Sequence, residues 1–268
     1  MSQLCRALAV PRSSYYASRR ARGRHCIDPA ELARVRQIHA DNRHSYGSRR
    51  MACELSSLGP KVGRHRARTL MRQAGVWSHP KRRHRYRPAG AVAAIAPNRL
   101  ARQFRPAAPN RVWAGDVTYL ATRQGWLYLA IVVDLYARRI VGAAFSATAD
   151  AALVVQALEQ AWRDRQPGPG LLFHSDQGST YASAVFVATL QRHGITQSMS
   201  RRGNCWDNAV VERVFRSLKH EWVHDQVYRD RTEAERDVSH YLWSFYNHRR
   251  WHAALGQRPP AVVDALAA

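Results

Sequence analysis

The order of strand-like and helix-like segments after Arg111 restricts the fold of this chain more than any other feature. Three successive segments are rich in β-branched and aromatic residues: 112–122, 126–135 and 138–147. Four further patterns follow, helical at 151–165, strand-like at 171–175, helical at 181–193 and strand-like at 195–199. Two helices complete the chain, at about 207–224 and 232–248. This order predicts an α/β domain of the ribonuclease-H-like type, in which helices flank a mixed five-stranded sheet.

Two aspartates lie at strand positions where an ionised carboxylate is energetically unfavourable. Asp116 lies in the middle of the first strand among apolar residues, and Asp176 lies at the end of the fourth strand. A charged group in a central strand is costly unless it is paired or binds a metal ion. Because the first and fourth strands are neighbours in a ribonuclease-H-like sheet, we expect the two aspartates to face each other. A divalent cation between them would offset their repulsion.

A helix supplies a third carboxylate and a basic residue. Glu212 follows Asp176 with 35 residues between them, on the helix after the fifth strand. Three carboxylates are suited to two Mg²⁺ ions, or Mn²⁺ as a substitute, that hold a phosphodiester during displacement at phosphorus. Lys219 comes seven residues after Glu212, two helical turns, so it lies on the same helix face. We therefore predict Asp116, Asp176 and Glu212 as catalytic and metal-binding residues, and Lys219 as a contact to the reacting DNA.

Other polar residues of this region have structural explanations. Asp134 lies near the end of the second strand and is followed by Arg138 and Arg139, so we expect a structural ion pair there. Asp207 is expected to be the N-cap of the helix that starts at that position. His174, within the fourth strand, is interpreted as a packed histidine.

The first 110 residues have a different charge balance from the rest of the chain. They carry 24 Lys and Arg against 4 Asp and Glu, whereas residues 111–268 carry 18 against 15. This excess indicates a polyanionic partner, nucleic acid in the first place and an acidic membrane surface in the second. The sequence thus predicts two parts with different roles: a basic part that binds DNA phosphates non-specifically, and after it a folded domain with balanced charge.

The basic N-terminal part shows three short helical patterns. They begin at Asp28, at Arg49 and at Val62, and glycines separate them. Such helices are typical of a small all-helical domain of the helix-turn-helix type. We predict that three arginines of the third helix contact double-stranded DNA: Arg64, Arg66 and Arg68. The alternative is a helical bundle with a solvated basic face.

Residues 78–110 are predicted to form a basic linker rich in proline, alanine and arginine. The segment has eight Lys and Arg and no acid, and Arg82, Arg83 and Arg85 could follow a phosphate backbone. A solvated tether is the alternative. The predicted domains are a DNA-binding region at 1–77, the linker at 78–110, a catalytic core at 111–225, and a C-terminal helix with a closing segment at 226–268.

Cysteines and apolar runs exclude several other classes of protein. The four cysteines are far apart and form no Cys-x-x-Cys pair, which argues against a structural zinc site and a disulfide framework. The apolar runs are far shorter than the roughly 20 residues of a membrane span. We expect a cytoplasmic prokaryotic protein that associates with the nucleoid and not with a membrane.

Four blocks of sequence carry a resemblance to a known family. They are PNRVWAGDVTYLAT with GWLYLAIVVDLYARRIVG, HSDQGSTY, SMSRRGNCWDNAVVERVFRSLKHE, and YNHRRWHAALGQRPP at 246–260. In this order they resemble the catalytic second-frame product of the insertion-sequence-three family of transposases, relatives of retroviral integrases in the DDE superfamily. Upstream, SSYYA and YGSRRMACELSSLG are similar to the N-terminal region of that family.

This resemblance implies a reaction and its participants. Asp116, Asp176 and Glu212 would be the DDE triad, with Mg²⁺ or Mn²⁺, and Lys219 would contact the element end. The reaction would cleave the element ends to leave 3′-hydroxyls and join these to target DNA without a covalent protein–DNA intermediate. Joining two ends suggests a homo-oligomer, and a helix-turn-helix partner or frameshift fusion from the preceding frame would recognise them. Residues 246–260 receive no role beyond packing or DNA contact near the active site.

Two other functions stay open at the level of sequence. A ribonuclease-H-like nuclease would use similar carboxylates to cut without joining. A transposase-derived DNA-binding protein would have lost catalysis altogether. The spacing from Asp176 to Glu212 and on to Lys219 favours strand transfer over the first, and the intact acids argue against the second.

Overall fold

A computed structural model of the chain describes residues 2–23, 28–78, 95–202, 204–224 and 226–267. They divide into two compact units, Met1–Ser78 and His79–Ala268, each with its own apolar core. Arg82, Arg83 and Arg85, which the sequence indicates as DNA contacts, lie outside the described residues. No helix in the described ranges combines the length and the apolar character that crossing a bilayer requires.

The first unit is entirely helical. Its helices are α1 Ser2–Ala7, α2 Arg12–Gly23, α3 Pro29–Asp41, α4 Ser48–Ser57 and α5 Arg64–Ala74. The last three confirm the predicted helices. Asp28 caps α3 as expected, because its carboxylate accepts a 2.9 Å hydrogen bond from the N–H of Ala30. Helices α1 and α2 were not predicted from the sequence; Leu4 and Tyr16, two of their large apolar residues, are exposed.

The second unit is built on one sheet. Its strands are β1 Val112–Thr122, β2 Gly125–Asp134, β3 Arg139–Ser146, β4 Leu172–Ser175 and β5 Thr196–Met199. Their spatial order is β3-β2-β1-β4-β5, with antiparallel pairs among the first three and parallel pairs from β1 to β4 and β4 to β5. The predicted mixed five-stranded sheet, and the predicted neighbourhood of the first and fourth strands, are both confirmed.

Helices surround this sheet. They are α6 Ala151–Arg165, α7 Ala184–Arg192, α8 Ala209–Leu218, α9 Arg231–Ser239 and α10 Pro260–Ala265. A 3₁₀ turn, Cys205–Asn208, precedes α8, and a turn of π-helix, Lys219–Val223, follows it and is called the π turn below. A π-helical segment, His240–Tyr246, likewise extends α9. The two helices predicted at the C-terminal end are therefore present, but each changes its hydrogen-bonding pattern along its length.

The core of the second unit lies between the sheet and α6. Trp113 and Phe173 of the sheet pack there with Leu158 of the helix, and all three are almost fully buried. Gly142 of β3 is the point of closest approach: a Cβ there would overlap the carbonyl oxygen of Ala157 and lie 2.8 Å from the Cβ of Ala161. The absence of a side chain at this position lets α6 rest directly on the sheet.

The end of the predicted linker packs against the second unit. The backbone N–H groups of Arg99 and Leu100 both donate to the Oγ of Ser198 in β5, at 3.0 and 3.1 Å. Leu100 is buried, and Asn110 donates its N–H to Asp134 at 2.7 Å. Residues 95–110 contain no helix or strand, as expected, but these contacts hold them in place on the core.

The ion pair predicted for Asp134 has a different partner. The carboxylate is fully buried and accepts the N–H groups of Asn110 and Tyr136, and the charge that faces it is Arg165 of α6, at 3.7 Å. Arg138 instead donates to the carbonyl of Phe104, and Arg139 pairs with Asp264, so the predicted pairing of Asp134 with the adjacent arginines is wrong. The structural role of Asp134 is as expected: it ties the entry to β1 to the end of β2.

Candidate active site

Asp116 occupies the centre of the sheet. It pairs with Ile131 across the β1–β2 ladder, and the N–H of Val117 donates to its carboxylate at 2.8 Å. Burial, followed by the negative charge of Asp176, raises the pKa of Asp116 well above its ordinary value. A carboxylate in this position is unfavourable when ionised, which is the cost that the sequence analysis anticipated.

Asp176 reaches the same place from the neighbouring strand. The parallel register pairs Ala114 with His174, so two residues further along each chain Asp116 and Asp176 come to lie side by side. The N–H of Gly178 donates to the Asp176 carboxylate at 2.9 Å and fixes its orientation. The side chain is exposed at the sheet end, yet the surrounding protein still desolvates it enough to raise its pKa.

Helix α8 brings the other two predicted residues to this pair. Val211 and Val214 anchor its apolar face, and both are buried. The charges of Glu212 and Lys219 both act on Asp116, the first raising and the second lowering its pKa. The other three residues of the predicted site, Asp176, Glu212 and Lys219, thus lie within electrostatic reach of Asp116.

Asn208 fixes the start of α8 on the central strand, and the sequence analysis missed it. Its Nδ2 donates to the carbonyl of Gly115, the residue before Asp116, at 3.1 Å. Its Oδ1 is buried without a hydrogen-bond partner in the described residues. The signal that could have found it is an amide beside an acid, Asp207-Asn208, directly before an amphipathic helix.

Lys219 rests on an aromatic pair. Its Nζ lies 4.6 Å from the ring centroid of Tyr119, and the Tyr119 ring meets Trp126 edge to face at 5.0 Å. Burial lowers the pKa of Lys219, while the charge of Asp116 opposes this shift. Tyr119 and Trp126 are each about half exposed, although they lie on paired strands. A large exposed aromatic residue within an otherwise buried strand is the signal that could have marked Tyr119.

The donor chemistry of the site suits a hard divalent cation. In the described part of the chain, no three His, Cys, Asp or Glu side chains are arranged to hold a metal ion together. The two neighbouring aspartates nevertheless supply the carboxylate oxygens that Mg²⁺ and Mn²⁺ prefer. Burial raises the pKa of both aspartates, and the charge of Asp176 raises that of Asp116 further. A bound cation would relieve both costs.

Asp207 is a buried anchor and not the N-cap of the helix. Asn204 caps the 3₁₀ turn instead, because its side chain accepts the N–H of Trp206. Asp207 accepts hydrogen bonds from Arg201, Arg102 and Asn98, and hydrogen bonds from Arg201 hold its pKa well below the ordinary value. The prediction failed because a carboxylate at the start of a helix has the same sequence pattern whether it bonds to the helix or to a distant arginine.

His174 is a packed residue, as expected. It is fully buried in β4, and its two ring nitrogens contact the hydroxyls of Ser198 and Ser200 at 2.9 and 3.2 Å. Burial lowers its pKa to about 4, so it is neutral at physiological pH. The histidine links β4 to β5 and to the residue after β5.

The first unit carries a basic recess of about 700 Å³, which we call the arginine recess. Arg64, Arg68 and Arg72 line it from one face of α5, opposite the start of α4. Trp77, at its edge, is 70% exposed. Arg66 differs from its neighbours, because it pairs with Glu31 of α3 at 2.6 Å and so helps to hold the helices together.

Comparison with known proteins agrees with both units. Two models described as "Integrase core domain" match residues 106–205 and 193–260, and a model described as "HTH-like domain" matches residues 27–84. The chain is 36% identical to the insertion element IS600 uncharacterized 31 kDa protein of Shigella sonnei, over 97% of this chain and 96% of that protein. It is 35% identical to transposase InsF for insertion sequence IS3A of Escherichia coli K12, over 97% and 92%.

Among solved structures, a chain of the simian T-cell lymphotropic virus intasome shares the fold. It aligns with a TM-score of 0.51 and 16% identity, over 86% of this chain and 74% of that chain. The sheet and the integrase core matches define the class of the protein, a polynucleotidyl transferase of the DDE type with an HTH-like domain before it. With such identity over nearly the full length of its relatives, the chain belongs to the IS3 family of insertion-sequence transposases.

Proposed function

We propose that Asp116, Asp176 and Glu212 are the catalytic carboxylates of this transposase. The observation that carries the proposal is their convergence: the two aspartates follow adjacent parallel strands, and the charges of Asp176 and of Glu212 on α8 both act on Asp116. Carboxylates that repel one another are clustered in a protein mainly at functional sites. A site that binds metal ions and a phosphate is one such case.

The same carboxylates are proposed to hold two Mg²⁺ ions, with Mn²⁺ as a substitute. When bound, such ions would neutralise the carboxylates and stabilise the negative charge that develops on the reacting phosphate. The residues of the chain contribute positioning. Gly178 orients Asp176, Asn208 holds α8 against β1, and Tyr119 supports the ammonium of Lys219.

The proposed reaction has two displacements at phosphorus. In the first, water attacks the phosphodiester at an element end, the P–O3′ bond breaks, and the element keeps a free 3′-hydroxyl. In the second, that hydroxyl attacks a target phosphodiester, a new P–O bond forms, and the target 3′-oxygen leaves. Lys219 is proposed to hold a non-bridging phosphate oxygen of the element end, because its charge and that of Asp116 act on each other.

DNA binding is proposed to be shared between the two units. Arg64 and Arg68 of the arginine recess are exposed and suited to phosphates of double-stranded DNA, and Trp77 offers a ring beside them. Arg66 is a weaker candidate because Glu31 already engages it. Arg82, Arg83 and Arg85 are proposed as further phosphate contacts, in a linker at 78–110. The proposed catalytic core follows at 111–225, and the C-terminal helix with the closing segment at 226–268.

The assembly is proposed to contain at least two copies, because joining both ends of an element requires that both be held at once. Recognition of the ends is proposed to involve a helix-turn-helix partner encoded in the preceding frame, or a fusion to it. The proposal of a partner is tested by measuring how tightly this chain binds duplexes that carry the element ends, with the partner present and with it absent.

A strand-transfer assay tests the proposed chemistry. Labelled duplexes that end in the inverted repeats of the element are incubated with Mg²⁺ or Mn²⁺ and with wild type, Asp116→Asn or Glu212→Gln. We expect joined products from wild type alone, and unchanged binding by the variants, because phosphate contacts dominate affinity. Nicking without joining would favour a nuclease, and binding without either reaction, also in the presence of the upstream partner, would favour a DNA-binding relic.

A further inference from the structure

The segment 246–260 makes two buried connections whose purpose the proposed reaction does not explain. The first is Asn247, which is almost completely buried. Its Oδ1 accepts the N–H of Ile140 at 3.0 Å, and its Nδ2 donates to the carbonyl of the same residue at 2.9 Å. Since β3 lies at the edge of the sheet, this amide pairs with the edge as another strand would, and it fixes the chain after the π-helical segment to the sheet.

The second connection is Arg250, three residues further on. Its guanidinium forms a two-pronged pair with Glu221 of the π turn, with both N–O distances 2.7 Å. The same Nη2 donates to the Oγ of Ser217 in α8 at 2.8 Å, and Nη1 lies 3.0 Å from Nε2 of His252. The Arg250 side chain is 7% exposed and that of Glu221 is 14% exposed, so this pair is largely out of water.

A second residue of the π turn, Trp222, packs against α9 and the π-helical segment that extends it. Trp222 is buried, and its ring lies 5.2 Å from that of Phe245 and 5.3 Å from that of Tyr241. Its Nε1 donates to the Asp237 carboxylate at 3.1 Å. The π turn is therefore held both by an aromatic cluster around Trp222 and by the pair of Glu221 with Arg250.

Lys219 is the first residue of the turn that these contacts hold. Ser217 stands two residues before it and Glu221 two residues after it, so the contacts of Arg250 hold the backbone on both sides of Lys219. Glu212 lies just over one helical turn before Ser217 on the same helix. A shift of this helix end would move the basic residue most and the glutamate less.

We propose that Arg250 is a positioning residue of the transposase, which fixes the end of α8 and the π turn, and thereby sets Lys219 and Glu212 against the sheet aspartates. Asn247 completes the connection by holding the turn that bears Arg250 on the sheet edge. The proposal rests on the proposed function, since it gives meaning to the placement of Glu212 and Lys219. It also assigns a role to residues 246–260.

The variant Arg250→Lys separates geometry from charge. Lysine keeps a cation opposite Glu221 but cannot donate along two parallel directions and also reach Ser217. A displacement of reacting groups by about 1 Å costs about 100-fold in rate. We therefore expect the joining rate at saturating DNA to fall about 10- to 100-fold, by that same principle for a smaller or equal displacement. DNA affinity should change far less, because it is spread over many phosphates.

Arg165→Lys is the matched control. Arg165 makes a similar two-pronged pair with Asp264, at 2.7 and 2.8 Å, and is also mostly buried, but it has no contact with α8 or the π turn among the described residues. Hydrogen exchange supplies the readout besides activity. Amides of 212–223 should exchange faster in Arg250→Lys and at the wild-type rate in Arg165→Lys, with joining reduced only in the first.

A double variant guards against simple loss of folding. Arg250→Met combined with Glu221→Met replaces the buried pair by apolar side chains, which commonly restores stability. A positioning role predicts a recovered melting temperature with joining still impaired, whereas a merely structural role predicts that both recover. The inference is overturned if Arg250→Lys or the folded double variant joins DNA at the wild-type rate. If wild type itself joins no DNA, the proposed function fails instead.

Discussion

Asp207→Asn tests whether the start of α8 depends on a buried anion. One carboxylate oxygen accepts from Arg102 Nε and Arg201 Nη2, at 2.8 and 2.9 Å. The other accepts from Asn98 Nδ2, at 2.9 Å, and from the backbone N–H and Nε of Arg201, at 3.1 and 2.9 Å. Asparagine keeps only one acceptor oxygen. In its better orientation the asparagine oxygen keeps the bonds from Asn98 and from the backbone N–H and Nε of Arg201. Its amide N–H groups then face two donors, Arg102 Nε and Arg201 Nη2.

The magnitude follows from those two lost bonds. A hydrogen bond that involves a charged group contributes about 1.5–3 kcal/mol. The side chains of Arg102 and Arg201 are 45% and 59% exposed, so both regain water when they lose the carboxylate. Discounting for this solvation, we expect the free energy of unfolding to fall by about 2 kcal/mol. Joining should fall as well, because Asn208 and the start of α8 follow directly on Asp207.

The effect should depend on pH in a defined direction. The pKa of Asp207 in the folded protein lies below its ordinary value of 3.8, so the carboxylate stabilises the fold at pH values above about 4. That contribution is lost as the pH falls through the folded-state pKa. The difference in stability between wild type and Asp207→Asn should therefore be full at neutral pH and should shrink progressively in acid.

Urea unfolding at pH 7 and pH 3 measures these differences. Asp164→Asn is the control, since Asp164 is exposed on α6 and carries the same charge. At pH 7 we expect Asp207→Asn to unfold at a lower urea concentration than wild type. The unfolding midpoint of Asp164→Asn should be almost unchanged. Equal loss in the two variants, or a difference from wild type that grows in acid, would refute the reasoning.

Three further predictions concern the sheet and its surroundings. Gly142→Ala should lower the free energy of unfolding by about 1–3 kcal/mol because of overpacking against α6, whereas Gly168→Ala, with open space around it, should not; equal urea midpoints would contradict this. Gly178→Ala would place a Cβ 2.9 Å from a carboxylate oxygen of Asp176, so joining should fall about 10-fold at an unchanged melting temperature, and a wild-type rate would count against it. Tyr119→Leu should weaken binding of element ends about 2- to 5-fold by removing the ring beneath the Lys219 ammonium, while Tyr119→Phe should bind as wild type does.

Much of the catalytic unit could be predicted because its determinants are local. Asp116 could be placed at mid-strand because the segment around it is rich in β-branched and aromatic residues. The neighbourhood of β1 and β4 then followed from the order of elements, and with it the pairing of the two aspartates. Glu212 and Lys219 could be assigned to one helix face because their spacing is a property of the helix itself.

Other features escaped prediction because distant residues decide them. The partner of Asp134 is Arg165, on the helix that packs over the sheet, and no local pattern distinguishes it from the nearer arginines. Asp207 has the sequence context of a helix cap, but its carboxylate binds Arg102, which lies more than 100 positions earlier in the chain. The π turn likewise depends on Arg250, which lies 29 positions beyond its partner in that turn.

Thermal unfolding during a Mg²⁺ or Mn²⁺ titration tests the central claim, that repelling carboxylates form a metal site. The pKa of Asp116 is raised in the folded protein, so ionising it at neutral pH costs stability. Asp116→Asn should therefore melt at a higher temperature than metal-free wild type. Metal should raise the melting temperature of wild type, by the equivalent of about 2.7 kcal/mol at 100 times the dissociation constant, and leave the variant unchanged. An equal response to metal in both proteins would contradict the account.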